Sequence, residues 1–271
     1  MKAGISTSCF YPTHTEDAVR WLTERQVPQI EIFFNSMAET EPAFLRSLRQ
    51  QLWLAGCRVV SVHPFLSGLE PMLFFSGYDR RQAEGMEIYR HFFEAAAFLG
   101  AKILVFHGER AGSARPDEQV FDAFGQLALL GRSFGITVTQ ENVVRCKSGS
   151  AAYLKQMKDW LGPLAAFTLD VKQARRRGER PEDFVILLGD SIRHVHISDG
   201  GPAGDCLPVG RGEEDLLGLL HLLRQQGFDG GVMMELYRDN YRDGEELLDS
   251  FRFLEGLVEK AKNPSDTSDK T

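Results

Sequence analysis

Short apolar runs rich in valine, isoleucine and phenylalanine alternate with longer amphipathic runs along the whole chain, and this alternation limits the folds open to it. The strand-like runs are "KAGISTS", "QIEIFF", "CRVVSVHPF", "AKILVFH", "ITVTQEN", "AAFTLD", "IRHVHIS" and "GVMMEL". Runs with helical periodicity separate them, beginning with "TEDAVRWLTER", where Thr15 is the expected N-cap, and ending with "GEELLDSFRFLEGLVEKAK". Gly56, Gly100, Gly135, Gly162, Gly189 and Gly227 each stand where a helical run stops, as a left-handed closing turn requires. Eight strand–helix units imply parallel strands joined by right-handed crossovers. No glycine-rich phosphate loop follows the first strand and no linker divides the 271 residues, so the pattern predicts a single (β/α)8 TIM barrel. That barrel is expected over residues 1–262, with the polar, aperiodic "NPSDTSDKT" at 263–271 as a disordered tail.

Composition narrows the function classes. A formal net charge of −7, with acids and bases mixed along the chain, builds no broad positive field for duplex nucleic acid. The four cysteines are scattered and form no CxxC pair, which points to a reducing compartment rather than a disulfide framework or thiolate zinc site. No run approaches the roughly 18 apolar residues of a membrane span. A cytoplasmic protein acting on a small molecule, with no nucleic-acid or membrane partner, is the expectation.

A TIM barrel places its chemistry at the C-terminal ends of its strands. Four consecutive late strands end in Glu141, Asp170, His196 and Glu235, at spacings of 29, 26 and 39 residues, each near one βα unit. Each acid follows an apolar run, where an unpaired carboxylate is costly to bury. Three carboxylates at one mouth repel unless a cation neutralises them. One imidazole nitrogen with several carboxylate oxygens suits one divalent ion, Mn²⁺ first, with Mg²⁺, Co²⁺ or Zn²⁺ also compatible. His194, two residues before His196, faces the same way one layer deeper.

The series "QEN", "LDVKQ", "HVHISD" and "MMEL", with the glycine-rich turn "LPVGRGEEDL" at residues 207–216, resembles the xylose isomerase-like barrel superfamily over nearly the whole chain. That group includes sugar isomerases and epimerases, with endonuclease IV-type repair enzymes among its relatives. The resemblance implies that Glu141, Asp170, His196 and Glu235 hold the metal, while Glu141 and Glu235 also serve as an acid/base pair. The implied reaction is isomerisation or epimerisation of a small sugar, polyol or sugar phosphate through a metal-stabilised cis-enediolate. Alternatives kept open are an inosose-type dehydratase, an endonuclease IV-like phosphodiester hydrolase and a barrel that binds sugar without catalysis.

Two departures from the family pattern stand out. Many relatives carry a histidine three residues after the aspartate; here that residue is Gln173, which can bond a hydroxyl but not shuttle a proton. The arginine that follows the seventh strand in ketose epimerases is missing, and Arg211 reads either as its substitute or as an exposed, solvated arginine. His63 and His107, at the ends of the third and fourth strands, are expected to line the sugar pocket, and Glu31 either to bond a substrate hydroxyl or to pair with a buried base. The aromatic connection at residues 64–81, with Phe74, Phe75 and Tyr78, reads as a lid, as rim packing or as a homo-oligomer contact. The basic run "ARRRGER" at residues 174–180 is a minor candidate for receiving a phosphate.

Overall fold

In the computed structural model every one of the eight expected strands forms, and its residues 1–262 are described; the tail expected at 263–271 lies outside the described residues. The strands are β1 (Lys2–Ser6), β2 (Gln29–Phe34), β3 (Arg58–Pro64), β4 (Ile103–Phe106), β5 (Thr137–Glu141), β6 (Phe167–Asp170), β7 (Ile192–Ile197) and, after a small ribbon of β8 (Asp199–Gly201) and β9 (Gly204–Leu207), β10 (Gly231–Met234). All barrel pairings are parallel, and β10 closes the ring against β1. The molecule is therefore a single (β/α)8 TIM barrel. Strands such as β6 are buried along their whole length because helices cover the outside and side chains fill the inside.

All six glycines that mark helix ends in the sequence have positive φ, so the closing turns fall where they were expected. Three local expectations are corrected. Thr15 is the first helical residue rather than the N-cap, and its hydroxyl donates to Glu39 instead of capping the helix. Asp199-Gly200, an Asp-Gly pair that reads as a turn in the sequence, is part of the β8–β9 ribbon. The connection at residues 64–81 holds a short helix, Glu70–Phe74, that folds inward. Phe74 and Phe75 are buried against Phe106, with ring centroids 5.5 and 6.2 Å away, whereas Tyr78 is exposed. Of the roles considered for this connection, packing describes the two phenylalanines. Among the described residues no helix is long and apolar enough to cross a membrane.

Outside the sheet the core is aliphatic and aromatic, centred on Tyr89, Phe92, Phe93, Phe106 and Phe124. Inside, the upper barrel is polar: Ser6, Glu31, Ser61, Thr139, Thr168, His194 and His196 are all buried there. Such an interior is stable only when its polar atoms satisfy one another, and Thr139 and Thr168 share a 2.7 Å hydrogen bond across β5 and β6.

Phe106 joins β4 to the helices outside it and is fully buried. Phe106→Ala is expected to cost about 3–5 kcal/mol in urea unfolding, the range for truncating a buried aromatic. A loss under about 1 kcal/mol would show that the aromatic cluster closes over the cavity and does not support the sheet.

Candidate functional site

The parallel register brings the expected residues together. Asp170 and His196 are direct partners across β6 and β7, and Met233 lies opposite His196 on β10, so Glu235 projects just beyond that strand. Glu141 is the last residue of β5. One donor atom from each of Glu141, Asp170, His196 and Glu235 falls within 4.8 Å of the others. Asp170 divides its oxygens: Oδ1 accepts from the Gln173 amide at 2.9 Å and caps the helix Val171–Arg177, while Oδ2 faces the cluster. Asn142 fixes this strand end by exchanging hydrogen bonds with the Asp170 backbone at 2.6 and 3.0 Å.

Below the cluster lies Glu31, fully buried on β2. Its carboxylate accepts from Ser6 Oγ at 2.9 Å and Ser61 Oγ at 2.8 Å. It also meets His194 Nε2 at 2.9 Å and His196 Nε2 at 3.1 Å. With Nε2 turned down to Glu31, His196 presents Nδ1 upward, 3.2 Å from Glu141 and 3.6 Å from Glu235. Of the two roles open to Glu31, the structure favours pairing with buried bases: it lies under His196, outside the cavity lining, as the residue that orients that ring, and not where it would bond a substrate hydroxyl.

His63 and His107 complete one wall. Their Nε2 atoms are 3.1 Å apart, and His107 Nε2 also lies 3.1 Å from Glu141. The two ring nitrogens of His63 lie 4.0 Å from Glu141 and 4.0 Å from Glu235, so this imidazole stands between the two glutamates. Glu70, from the inward-folded connection, accepts from the His107 and Gly108 amides at 2.9 and 2.8 Å and from Tyr89 at 2.6 Å. Those bonds hold the loop after β4 in place.

A cavity of about 460 Å³ opens above these groups, and His63, His107, Glu141, Gln173 and Glu235 line it. Phe33, Phe65, Tyr11 and Tyr237 supply aromatic walls, and Arg145 a guanidinium. Arg211 does not reach it: its side chain is 65% exposed and lies 3.7 Å from Glu246. The four arginines of the basic run are already paired, Arg175 with Glu214, Arg176 with Asp205 and the Tyr237 hydroxyl, Arg177 with Glu179 and Arg180 with Asp183. Asp199 knits the ribbon to the glycine-rich turn by accepting from the amides of Gly200, Gly210 and Glu214. A larger cavity of about 700 Å³ opens among the strand starts Lys2, Gln29, Arg58 and Gly231, but it holds no carboxylate–imidazole cluster.

Sequence reasoning missed Lys172. This lysine is 3% exposed, and its Nζ sits 2.9 Å from Glu235 and 3.1 Å from Asp170. Its position in the first turn of the helix that Asp170 caps was the available signal, since that turn folds over the strand ends. Arg145 and Glu70 were missed as well, because both come from loops whose path follows from tertiary packing.

The charges are mutually compensated. Burial raises every carboxyl here, but the imidazoles beside Glu31 and Glu141 outweigh it and hold both well below the carboxylate range. Against the same burial, Lys172 and His196 bring Glu235 down to about 2. Asp170 goes the other way, to about 7, because burial together with Glu141 and Glu235 exceeds the pull of Lys172. Burial opposes charge on His196 and His107 too, yet carboxylates lift His196 well above the imidazole range and His107 to about 10. His63, buried and beside His107, falls to about 4.

These residues fit a divalent cation. Asp170 Oδ2 and Glu141 Oε2 are buried and accept no well-aligned hydrogen bond, each having instead an ion-pair neighbour, Lys172 and His107 respectively, and an imidazole nitrogen with three carboxylates is a donor set for a hard or borderline ion. His63, His107 and Glu141 form a second convergent set that shares Glu141 with the first.

A closed parallel barrel that gathers three carboxylates and an imidazole from four adjacent strand ends under one small cavity defines the class: a TIM barrel with its site at the C-terminal mouth. Within that class the chain belongs to the xylose isomerase-like TIM barrel family, whose model matches residues 19–257. It is 24% identical over 281 residues to an uncharacterized protein of Methanocaldococcus jannaschii, covering 97% of this chain and 94% of that one. Among solved structures it is similar to a D-tagatose 3-epimerase-like protein, with TM-score 0.79, 19% identity and coverage of 97% and 98% of the two chains. D-psicose 3-epimerase gives TM-score 0.79 at 15% identity, covering 95% and 99%. L-ribulose 3-epimerase gives TM-score 0.77 at 15% identity, covering 100% and 99%. At these identities the structural likeness establishes the fold.

Because Glu31 accepts from four donors, Glu31→Gln must leave at least one of them facing an amide NH₂. The expected cost in urea unfolding is about 2–4 kcal/mol, the penalty for buried unmatched polar groups. Stability within about 0.5 kcal/mol of wild type would mean that the layer under His196 is not held by this carboxylate.

Proposed function

We propose that the protein is a divalent-metal-dependent isomerase or epimerase of a small sugar, polyol or sugar phosphate. The observation that carries this reading is the pairing of Glu141 and Glu235 on one cavity, each within 4.0 Å of a different nitrogen of His63. Proton transfer at a carbon next to a carbonyl needs two such groups, one to take the proton and one to return it. The similarity to proteins named as 3-epimerases of D-psicose and L-ribulose supports it.

Glu141, Asp170, His196 and Glu235 would hold the ion. A divalent cation there supplies Lewis acidity at a carbonyl and its neighbouring hydroxyl. One of the two glutamates removes the proton between them to give a cis-enediolate, and the other returns it. Both are ionised at rest, so the glutamate that takes the proton is ready as a base, and the one that returns a proton must first take one up from water in the cavity. His63, His107 and Gln173 bond substrate hydroxyls along the wall, and the Phe33 and Phe65 rings cover apolar faces of the sugar. An inosose-type dehydratase shares the first proton abstraction and is distinguished by loss of water from its product.

One observation favours a second reading. The His63–His107–Glu141 set could hold a further ion, as a phosphodiester hydrolase of the repair type requires. Metal analysis separates the two: one ion per chain for the isomerase, two or three for the hydrolase.

In a screen of keto-sugars, Glu141→Gln and Glu235→Gln are each expected to lower turnover by about 10² or more, the usual weight of a general acid–base group. Proton exchange with D₂O should then be one-sided, with the surviving glutamate labelling its own epimer while net conversion stops. Near-native interconversion by either variant would remove that glutamate from the chemistry.

A further inference from the structure

Lys172 stands where a metal ligand set would be expected to hold only its ion. Its ammonium lies 2.9 Å from Glu235 Oε2 and 3.1 Å from Asp170 Oδ2, and its side chain is 3% exposed. Asp170 Oδ1 is already committed to capping the helix Val171–Arg177, so Oδ2 is the oxygen that Asp170 can offer to a cation. On Glu235 the other oxygen, Oε1, accepts from Ser8 Oγ at 3.3 Å. The ammonium and a divalent ion therefore compete for the same two oxygens. An ion bound to both oxygens at about 2.0–2.3 Å would take the bridging position that the ammonium holds, so the two cations cannot both bridge this pair.

We propose that Lys172 is a built-in counter-cation of this site: its ammonium bridges Asp170 and Glu235 when no metal is bound, and a divalent ion must displace it to bind. The proposal rests on the metal-dependent reading given above. It accounts for how three carboxylates can be buried side by side in a folded, metal-free chain, a state that would otherwise leave buried charge unpaired. It also sets the affinity. Displacing a fixed positive charge, and keeping it nearby, weakens capture of a second cation, because like charges a few ångströms apart repel strongly in a partly dehydrated site. Nζ already stands 5.0 Å from the centroid of the Tyr237 ring on the cavity wall, which Arg176 also approaches at 5.2 Å, so the displaced ammonium can keep that ring as a cation–π partner. From there Lys172 faces the substrate.

A lysine that merely packs would behave differently, since replacing it would cost stability without strengthening metal binding. The test is titration of chelator-treated, full-length wild type, Lys172→Met and Lys172→Gln with Mn²⁺, read as binding isotherms and as the Mn²⁺-induced rise in Tm. Both variants are expected to bind Mn²⁺ about tenfold or more tighter than wild type. They should also show a lower metal-free Tm and a larger rise on loading. Equal or weaker binding by the variants, with wild type binding normally, overturns the proposal and leaves the metal reading intact. No binding of Mn²⁺, Mg²⁺, Co²⁺ or Zn²⁺ by any of the three proteins overturns both. If a variant does not fold without metal, it is prepared in Mn²⁺ and then chelated. Unfolding on chelation, with wild type staying folded, is the expected result, and a variant that is unfolded with and without Mn²⁺ counts against the proposal.

Discussion

The mouth of this barrel depends on one buried carboxylate. Glu31 sits under the site with no exposed surface and accepts from two serines and two histidines drawn from three different strands. A charge so deep is tolerable only because those donors converge on it. Their convergence in turn fixes the orientation of His196, so that one ring nitrogen faces down and the other faces the cavity. Remove that constraint and the imidazole has no reason to present Nδ1 to Glu141 and Glu235. The site is thus built on a polar layer inside the barrel, where an ordinary barrel would pack aliphatic side chains.

Above that layer, crowding governs everything else. Three carboxylates share the strand ends, and each is compensated differently: Glu141 by His107 and His196, Glu235 by Lys172 and His196, and Asp170 partly by its own helix cap and Lys172. Asp170 is the least well paired, which is why its carboxyl rises while its neighbours fall. On the proposed reading, a cluster with internal cations and two carboxylate oxygens that accept no well-aligned hydrogen bond would exchange those cations for a metal. The proposed chemistry asks for that capacity.

Much of this was legible in the residue order, because parallel barrels convert one-dimensional spacing into a ring. The spacing of Glu141, Asp170, His196 and Glu235 by about one βα unit sufficed to place them together, and the helix-closing glycines confirmed where each unit ends. Other features were not legible. Glu31 alternates with apolar neighbours on β2 as a cavity-lining residue would, and only the inward lean of His194 and His196 shows that it lies beneath the cavity. Arg211 could be read as a substitute for a missing arginine or as a solvated one, and it is the latter: Asp199 anchors its turn by binding the amides on both sides, and the Arg211 side chain is 65% exposed. Lys172 and Glu70 reach the site from a first helical turn and from an inward-folding connection, and neither path is written in periodicity.

The account centres on a single cation held by four strand-end donors. Crystals of the full-length protein soaked in Mn²⁺ and measured at the manganese absorption edge test this most directly. The predicted result is one strong anomalous peak per chain, within bonding distance of Glu141, Asp170, Glu235 and Nδ1 of His196, with Nε2 of His196 still on Glu31. No peak at the mouth, or a peak held by His63 and His107 with Asp170 and Glu235 left on Lys172, would contradict it.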